Sequence, residues 1–250
     1  MNKSRWAPAW ALIAGLLCAG GAMAAHPLQT EDTGTQGAGN VEFENGLSWA
    51  RSDGAKVFVY QPQISYGVTP SFDLIVQPSW LRSRAAGGDT ASGWGDTNLD
   101  GKWRFYGEAP LSLGIRAGAT LATSQQGLGN PHGKTTAHAV LVATFDAAPF
   151  TVHGNVGMVQ NPSGTGQRAH TVLVSSALMW AVTEQFILTA DAGAQSNPDP
   201  ARKSWPATLL GGVIYSATPS LDLDLGYQSS VRSTVATREW LMGITYRFAP

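Results

Sequence analysis

Charge is scarce in this chain. Asp, Glu, Lys and Arg make up 13% of its 250 residues, 16 basic against 17 acidic, for a net charge of −1 at pH 7. Without a basic excess there is nothing to neutralise a phosphate backbone, which excludes nucleic acid as a partner. Cysteine is all but missing: the lone Cys18 supports neither a disulfide framework nor a cysteine-based zinc cluster. A helix-forming composition is missing too. Lys is sparse while Gly numbers 29, and a Gly inside a helix costs about 1 kcal/mol relative to Ala. Nor is the chain polar enough to stay unfolded, because 43% of it is apolar and nine residues are Trp.

Long hydrophobic runs are confined to the first two dozen residues. Lys3 and Arg5 form a positive start, residues 6–17 an apolar core, and Ala22-Met23-Ala24 a small-residue cleavage site, so residues 1–24 read as a secretory signal peptide. Cys18 lies inside it, after Leu17, which is too bulky for the small residue that lipoprotein processing takes. Beyond residue 25 no apolar run approaches the roughly 20 residues that a spanning helix needs. The chain is thus exported without a helical anchor.

What is present instead is alternation. In residues 97–105, Thr97, Leu99, Gly101, Trp103 and Phe105 share one face, while Asn98, Asp100, Lys102 and Arg104 share the other with Asp96 just before them. Successive side chains of a strand point to opposite faces. The pattern recurs in Leu111, Leu113, Ile115 and Ala117 against Arg116, in Leu221, Leu223, Leu225 and Tyr227 against Asp222 and Asp224, and in Trp240, Met242, Ile244, Tyr246 and Phe248 against Glu239 and Arg247. Strands are expected at 40–50, 56–67, 72–81, 95–106, 111–122, 135–145, 150–160, 168–181, 186–196, 206–216, 221–229 and 237–248. Five connections are short and mostly Pro-bearing, at 67–71, 107–110, 146–149, 182–185 and 217–220. The alternate ones, such as 82–94, 123–134 and 197–205, are longer and polar. Apolar-out, polar-in segments with short turns at one rim and longer loops at the other predict an all-β fold: an antiparallel transmembrane β-barrel of about 12 strands with short periplasmic turns and longer extracellular loops. Pro62 implies a bulge in the second strand. The phase of the eighth is ambiguous around Ser175-Ser176.

Two stretches resemble a known family. The first is His26-Pro27-Leu28-Gln29-Thr30-Glu31-Asp32-Thr33-Gly34-Thr35-Gln36-Gly37, followed by Gly39-Asn40-Val41-Glu42-Phe43-Glu44. It is similar to the mature N-terminus of the outer-membrane proteins named for the meta-cleavage pathway of phenol degradation. The second, Gly93-Trp94-Gly95-Asp96-Thr97-Asn98-Leu99-Asp100-Gly101-Lys102-Trp103-Arg104-Phe105, resembles that family's Gly-x-Gly-Asp strand. The resemblance implies a barrel in the cell outer membrane that transports small, often aromatic or apolar, compounds. One departure is that Ala249 and Pro250 follow Phe248, where outer-membrane barrels usually end on the aromatic residue.

Phase alone puts a set of polar residues into the lumen: Glu42, Glu44, Asp96, Asn98, Asp100, Lys102, Arg104, Arg116, His138, His153, His170, Asp191, Asp222, Asp224, Glu239 and Arg247. These mixed charges suit either a polar conduit or a salt-bridge network filling a narrow barrel. Arg247, near the periplasmic rim, is expected among Glu42, Glu44, Asp222 and Asp224 as a clasp between the closing strands. His138, His153 and His170 on neighbouring strands would hold a metal only if register brought them together; solvated histidines are the simpler reading, and neither a metal nor a cofactor is expected. Ser124 or Ser163 with His138 or His170 sits in no recognisable catalytic motif, so no enzyme is expected. Residues 25–38, charged and turn-rich without alternation, are expected to enter or cap the periplasmic end of the lumen, ahead of a barrel spanning 39–250. The functional expectation is passive diffusion of small, weakly polar or aromatic solutes. The alternative is a structural or adhesive barrel with a plugged lumen, and an outer-membrane hydrolase comes last. Outer-membrane lipid, the small solute and, during biogenesis, the barrel assembly machinery are the expected partners.

Overall fold

The computed structural model describes residues 26–248 except 126–127, 131 and 234–235; residues 1–24, expected to be a signal peptide, lie outside the described residues. The strands are β1 (Val41–Ser52), β2 (Ala55–Thr69), β3 (Phe72–Gln77), β4 (Trp80–Arg84), β5 (Thr90–Trp94), β6 (Thr97–Glu108) and β7 (Leu111–Leu121). They continue with β8 (Thr136–Ala147), β9 (Phe150–Gln160), β10 (His170–Ala181), β11 (Phe186–Gln195), β12 (Ala207–Thr218), β13 (Leu221–Arg232) and β14 (Thr237–Phe248). All pair antiparallel, and the ring closes where β1 meets both β2 and β14, the latter without a break from Val41 opposite Phe248 to Ser52 opposite Thr237. Because β3 runs on into β4 and β5 into β6 with only two residues between, the fourteen segments make twelve staves.

The alternation decides which face each residue takes. Outward positions carry the aliphatic band, with Leu141 56% and Val156 57% exposed and paired in register across β8 and β9. Between the rims no described outward position is charged. Aromatic residues flank this band. Trp103, Phe145, Phe150, Trp180 and Phe186 mark the short-turn rim, and Trp49, Phe58, Trp80 and Trp240 the loop rim on one side of the barrel, the arrangement of an aromatic girdle at a lipid interface. Inward positions carry the polar set.

Three features differ from the sequence reading. Pro62 forms no bulge: β2 pairs with β1 straight through it. On its other side the ladder stops after Tyr60 opposite Trp80 and resumes at Ile64 opposite Val76 in the same register. Pro62 therefore stands level with Pro78, and since neither has an N–H to donate, the ladder has a gap rather than an extra residue. The stretch 82–94 is mostly strand, because Arg82 and Arg84 project outward while Leu81 and Ser83 project inward. Outward arginines break the apolar-out rule and read as a loop. In β10, Ser175 is inward, beside Asn155, and Ser176 outward.

The outward band yields a direct test. Leu141 lies mid-stave with Ile115 and Val156 as its neighbours, so Leu141→Arg should destabilise the barrel by about 2–4 kcal/mol. Heat-modifiable gel mobility measures this; an unchanged unfolding temperature would place Leu141 away from lipid.

Candidate functional site

The lumen is not empty. Residues 26–40 run inside it, held by side chains from around the ring. His26 Nδ1 bonds Asp224 at 2.8 Å, and Leu28 joins a buried apolar cluster with Ala177, Leu210 and Leu241. The backbone N–H groups of Gln29 and Thr30 both donate to Asp191, at 2.9 and 2.7 Å. Asn155 accepts from the N–H of Glu31 and donates to its carbonyl. Farther on, Thr33 bonds Thr144 and Ser112, and Gln36 bonds Asp73 and Glu42. Gly39 and Gly67 then pair backbone to backbone. Small inward residues clear the path: a Cβ at Gly46 or Gly243 would meet the His26 ring at 2.8 Å.

At the centre sits an ionic network. Glu31 bonds Lys102 Nζ at 2.6 Å through one oxygen and Arg116 Nη1 at 2.6 Å through the other. Arg116, 0% exposed, also donates from Nε and Nη2 to Asp100, at 2.9 and 2.7 Å, and from Nη2 to Gln63. Gln63 in turn donates to Glu44. The second Asp100 oxygen takes His138 Nε2 at 2.7 Å. Lys102 also reaches Asp32 at 3.1 Å. Burial pushes the Asp32 carboxyl up, but the Lys102 ammonium, ahead of His153, outweighs that and holds it below the ordinary carboxylate range. Buried charges are tolerated only when paired and hydrogen-bonded, and here Glu31, Asp32 and Asp100 each meet a cation, while Glu44 takes only the Gln63 amide. The arrangement can seal a pore.

Nearer the short-turn rim, Arg247 bridges Glu42 of β1 at 2.9 Å and Asp222 of β13 at 2.8 Å. It spans the closing staves as expected, but with two carboxylates rather than four, since Glu44 and Asp224 are taken by Gln63 and His26. Arg104 donates to the Pro70 carbonyl, and Glu239 accepts from Gln228.

Toward the loop rim the lumen opens into a cavity of about 120 Å³, lined by Gln61, Ser79, Asp96, Asn98, Thr120, Leu128, Thr136, Asn161, Gln167, Thr171 and Gln195, among others. Part of its wall is the connection between β7 and β8, folded inward so that Leu128 is buried. Asp96 holds it there, accepting the N–H groups of Ser124 and Asn130 at 3.1 and 2.6 Å.

A family model described as "Putative MetA-pathway of phenol degradation" matches residues 25–248. The chain belongs to this family. No curated protein matches it. Among solved structures, an outer-membrane channel from Pseudomonas putida F1 is similar over 87% of this chain and 98% of its own, with 12% identity and a TM-score of 0.68. The NanC porin covers 82% and 98%, with 9% identity and a TM-score of 0.61. The KdgM porin covers 82% and 99%, with 8% identity and a TM-score of 0.58. These likenesses are of fold: a closed outer-membrane β-barrel.

Of the sixteen side chains assigned to the lumen from phase, the structure turns fifteen inward. His170 is the exception: it faces outward, exposed, in line with Val172 and Val174 and paired with the outward Gln160. It stands at the first position of its strand, where phase can be read only backwards through the ambiguous Ser175-Ser176. The three histidines do not meet. His138 is bound to Asp100, and His153 bonds Thr144 and the Met179 sulfur. Among the described residues no hydrogen bond joins the Ser124 or Ser163 hydroxyl to a histidine; the bonds these residues make are through backbone, the Ser124 N–H to Asp96 and Lys134 to the Ser163 carbonyl. What phase did not supply is Glu31, the partner of both buried cations. The inward glycines at 46, 212, 226 and 243 were a usable signal, since they mark where the lumen must leave room for backbone.

Arg116→Met would leave Glu31 and Asp100 buried without their shared cation, and should cost about 3–5 kcal/mol. The urea midpoint of the refolded protein reports it, and a shift under about 0.5 kcal/mol would remove Arg116 from its central place. The Asp32 carboxyl makes a second prediction. Its docked pKa lies below its free value of about 3.9, so its contribution to seating residues 26–37 is full above that value and lost as the pH falls through the lower docked one. Protease cleavage within the segment should rise over that window and not above pH 5; a flat profile would show that Asp32 does not help to hold it.

Proposed function

We propose that the protein is an outer-membrane channel for small, weakly polar or single-ring aromatic solutes, entered from the outside and closed below by residues 26–37. The cavity carries this reading. Its lining holds one charged side chain, Asp96, and both oxygens of that carboxylate are occupied by backbone N–H groups. What faces a solute is amide, hydroxyl and the side chains of Leu128, Val159 and Pro198, the mixture of apolar surface and a few polar groups that small-molecule sites use. Its volume of about 120 Å³ is close to the roughly 150 Å³ of an apolar cavity that takes benzene. The family's description in terms of phenol degradation agrees with this choice of cargo, and the outer-membrane channel among the structural likenesses agrees with a channel.

Below the cavity, one pleat toward the periplasm, come Gln63, Asp100 and His138, with Arg116 one pleat lower and its guanidinium bonded to Asp100 and Gln63. This packed layer favours a second reading, a sealed structural or adhesive barrel. Transport requires the N-terminal segment to move, and its hold on the wall is mostly polar and ionic, Pro27 and Leu28 being buried apolar contacts; polar contacts are the kind that water can replace.

Planar-bilayer conductance and liposome swelling separate the two. Deleting residues 26–37 should raise conductance several-fold and admit a neutral pentose at rates that differ little between low and high salt. Leu128→Asp in the full-length mature protein should slow uptake of a single-ring phenol by cells that depend on the barrel. A folded deletion variant that stays silent and passes no solute would support the sealed barrel and end the channel reading.

A further inference from the structure

The outer surface carries one charged patch that nothing inside the protein balances. Arg238 of β14 pairs in register with Arg51 of β1, Arg51 with Lys56 of β2, and Lys56 with Arg84 of β4. Arg82 lies one pleat below, opposite Phe58. All five side chains are exposed and point away from the lumen. Adjacent staves are about 4.8 Å apart, so four cations stand in a row about 15 Å long, each directly across from another. Like charges placed this way repel, and no ion pair among the described residues engages any of them. The acids closest in sequence do not answer them: Asp53 and Asp89 belong to the turns above, and Glu239 points inward.

The row's height identifies what does. Immediately below it, on the same outward face, lie Trp240, Trp49 and Phe58, with Trp80 a further pleat down. Trp49 and Phe58 have ring centroids 5.3 Å apart, Phe58 and Trp80 6.1 Å. Aromatic rings of this kind settle at the boundary between acyl chains and headgroups, which places the cations among the headgroups of the outer leaflet. The patch is one-sided. Across the barrel, the outermost outward positions include Ala137, Gln160, His170 and Ala207, with no Lys or Arg among them.

We infer that Arg238, Arg51, Lys56, Arg84 and Arg82 form a binding site for the phosphate groups of an outer-leaflet glycolipid, whose acyl chains lie against the aromatic residues beneath. Arginine suits the task because its planar fork bonds two phosphate oxygens at once. A row of several such groups matches a headgroup bearing more than one phosphate.

The purified full-length mature barrel in detergent micelles, titrated with diphosphoryl lipid A and followed by native mass spectrometry, tests the site. Affinity should fall from diphosphoryl to monophosphoryl to phosphate-free lipid A. A cation near a membrane surface contributes roughly a fivefold factor, so R51Q/R84Q should weaken binding of the diphosphoryl form about 25-fold. K203Q, in an exposed loop, should leave it unchanged. If heat-modifiable mobility shows that R51Q/R84Q does not fold, K56Q/R238Q takes its place. Equal binding of diphosphoryl and phosphate-free lipid A, or full affinity in the double variant, overturns the site. Displacement of the lipid by millimolar inorganic phosphate would reassign the row to a free anion and overturn the lipid reading.

Discussion

Arg116 is the residue around which the interior is arranged. Its guanidinium is sealed from water and divides its bonds between Asp100 on the neighbouring stave and Glu31 on the N-terminal segment. Removing three charges from solvent is costly, and their attraction offsets that cost only while all the partners are in place. This makes the wall and the segment conditional on each other. Without the segment, Arg116 and Lys102 lose a shared carboxylate; without the barrel, Glu31 has no reason to leave water. A membrane barrel cannot use apolar packing alone to fill its core, because its apolar face is already committed to lipid. Polar complementarity does here what a hydrophobic core does in a soluble fold.

The lumen is therefore divided by height. Its periplasmic half is occupied by chain and held by charge, with Leu28 and its apolar neighbours as the exception. Its outer half is open and carries few charges, Asp96 and Glu239 among them, with the connection between β7 and β8 folded in to narrow it. The division follows the staves themselves: Lys102, Arg116, Asp191 and Asp224 lie at or below the middle, while Gln61, Thr120, Thr171 and Gln195 lie toward the loops.

Much of this was legible in the sequence because a membrane wall writes a strict code. Alternation in residues 97–105, 221–227 and 239–248 set the face of each side chain, and the Pro-bearing turns set the direction of each stave; together they placed Arg247 beside Glu42 and Asp222. Where the code is suspended, reading failed. Arg82 and Arg84 face outward, so their hairpin passed for a loop. The effect of Pro62 depends on Pro78, sixteen residues on but level with it in space, which no local pattern shows. His170 lies at a strand's end, beyond a stretch with no alternation to count from. Glu31 belongs to a segment with no periodicity at all, and its partners are chosen by the curvature of the ring, which one-dimensional patterns do not carry.

The course of residues 26–40 has a mechanical meaning as well. Through Glu42, Gly67, Asp73, Lys102, Arg116, Thr144, Asn155, Ala177, Asp191, Leu210, Asp224 and Leu241, the segment has a hydrogen bond, an ion pair or a shared apolar cluster on every one of the twelve staves. A sheet rolled into a tube resists bending along its strands far more than flattening across them, since flattening stretches no hydrogen bond. Lateral pressure from the bilayer acts in that soft direction. A strap tied to the whole circumference works as the hub of a spoked wheel, so that squeezing one diameter loads contacts on all the others. The cross-section of this barrel is thus kept round from within, and the open chamber above inherits its shape from the filled half beneath.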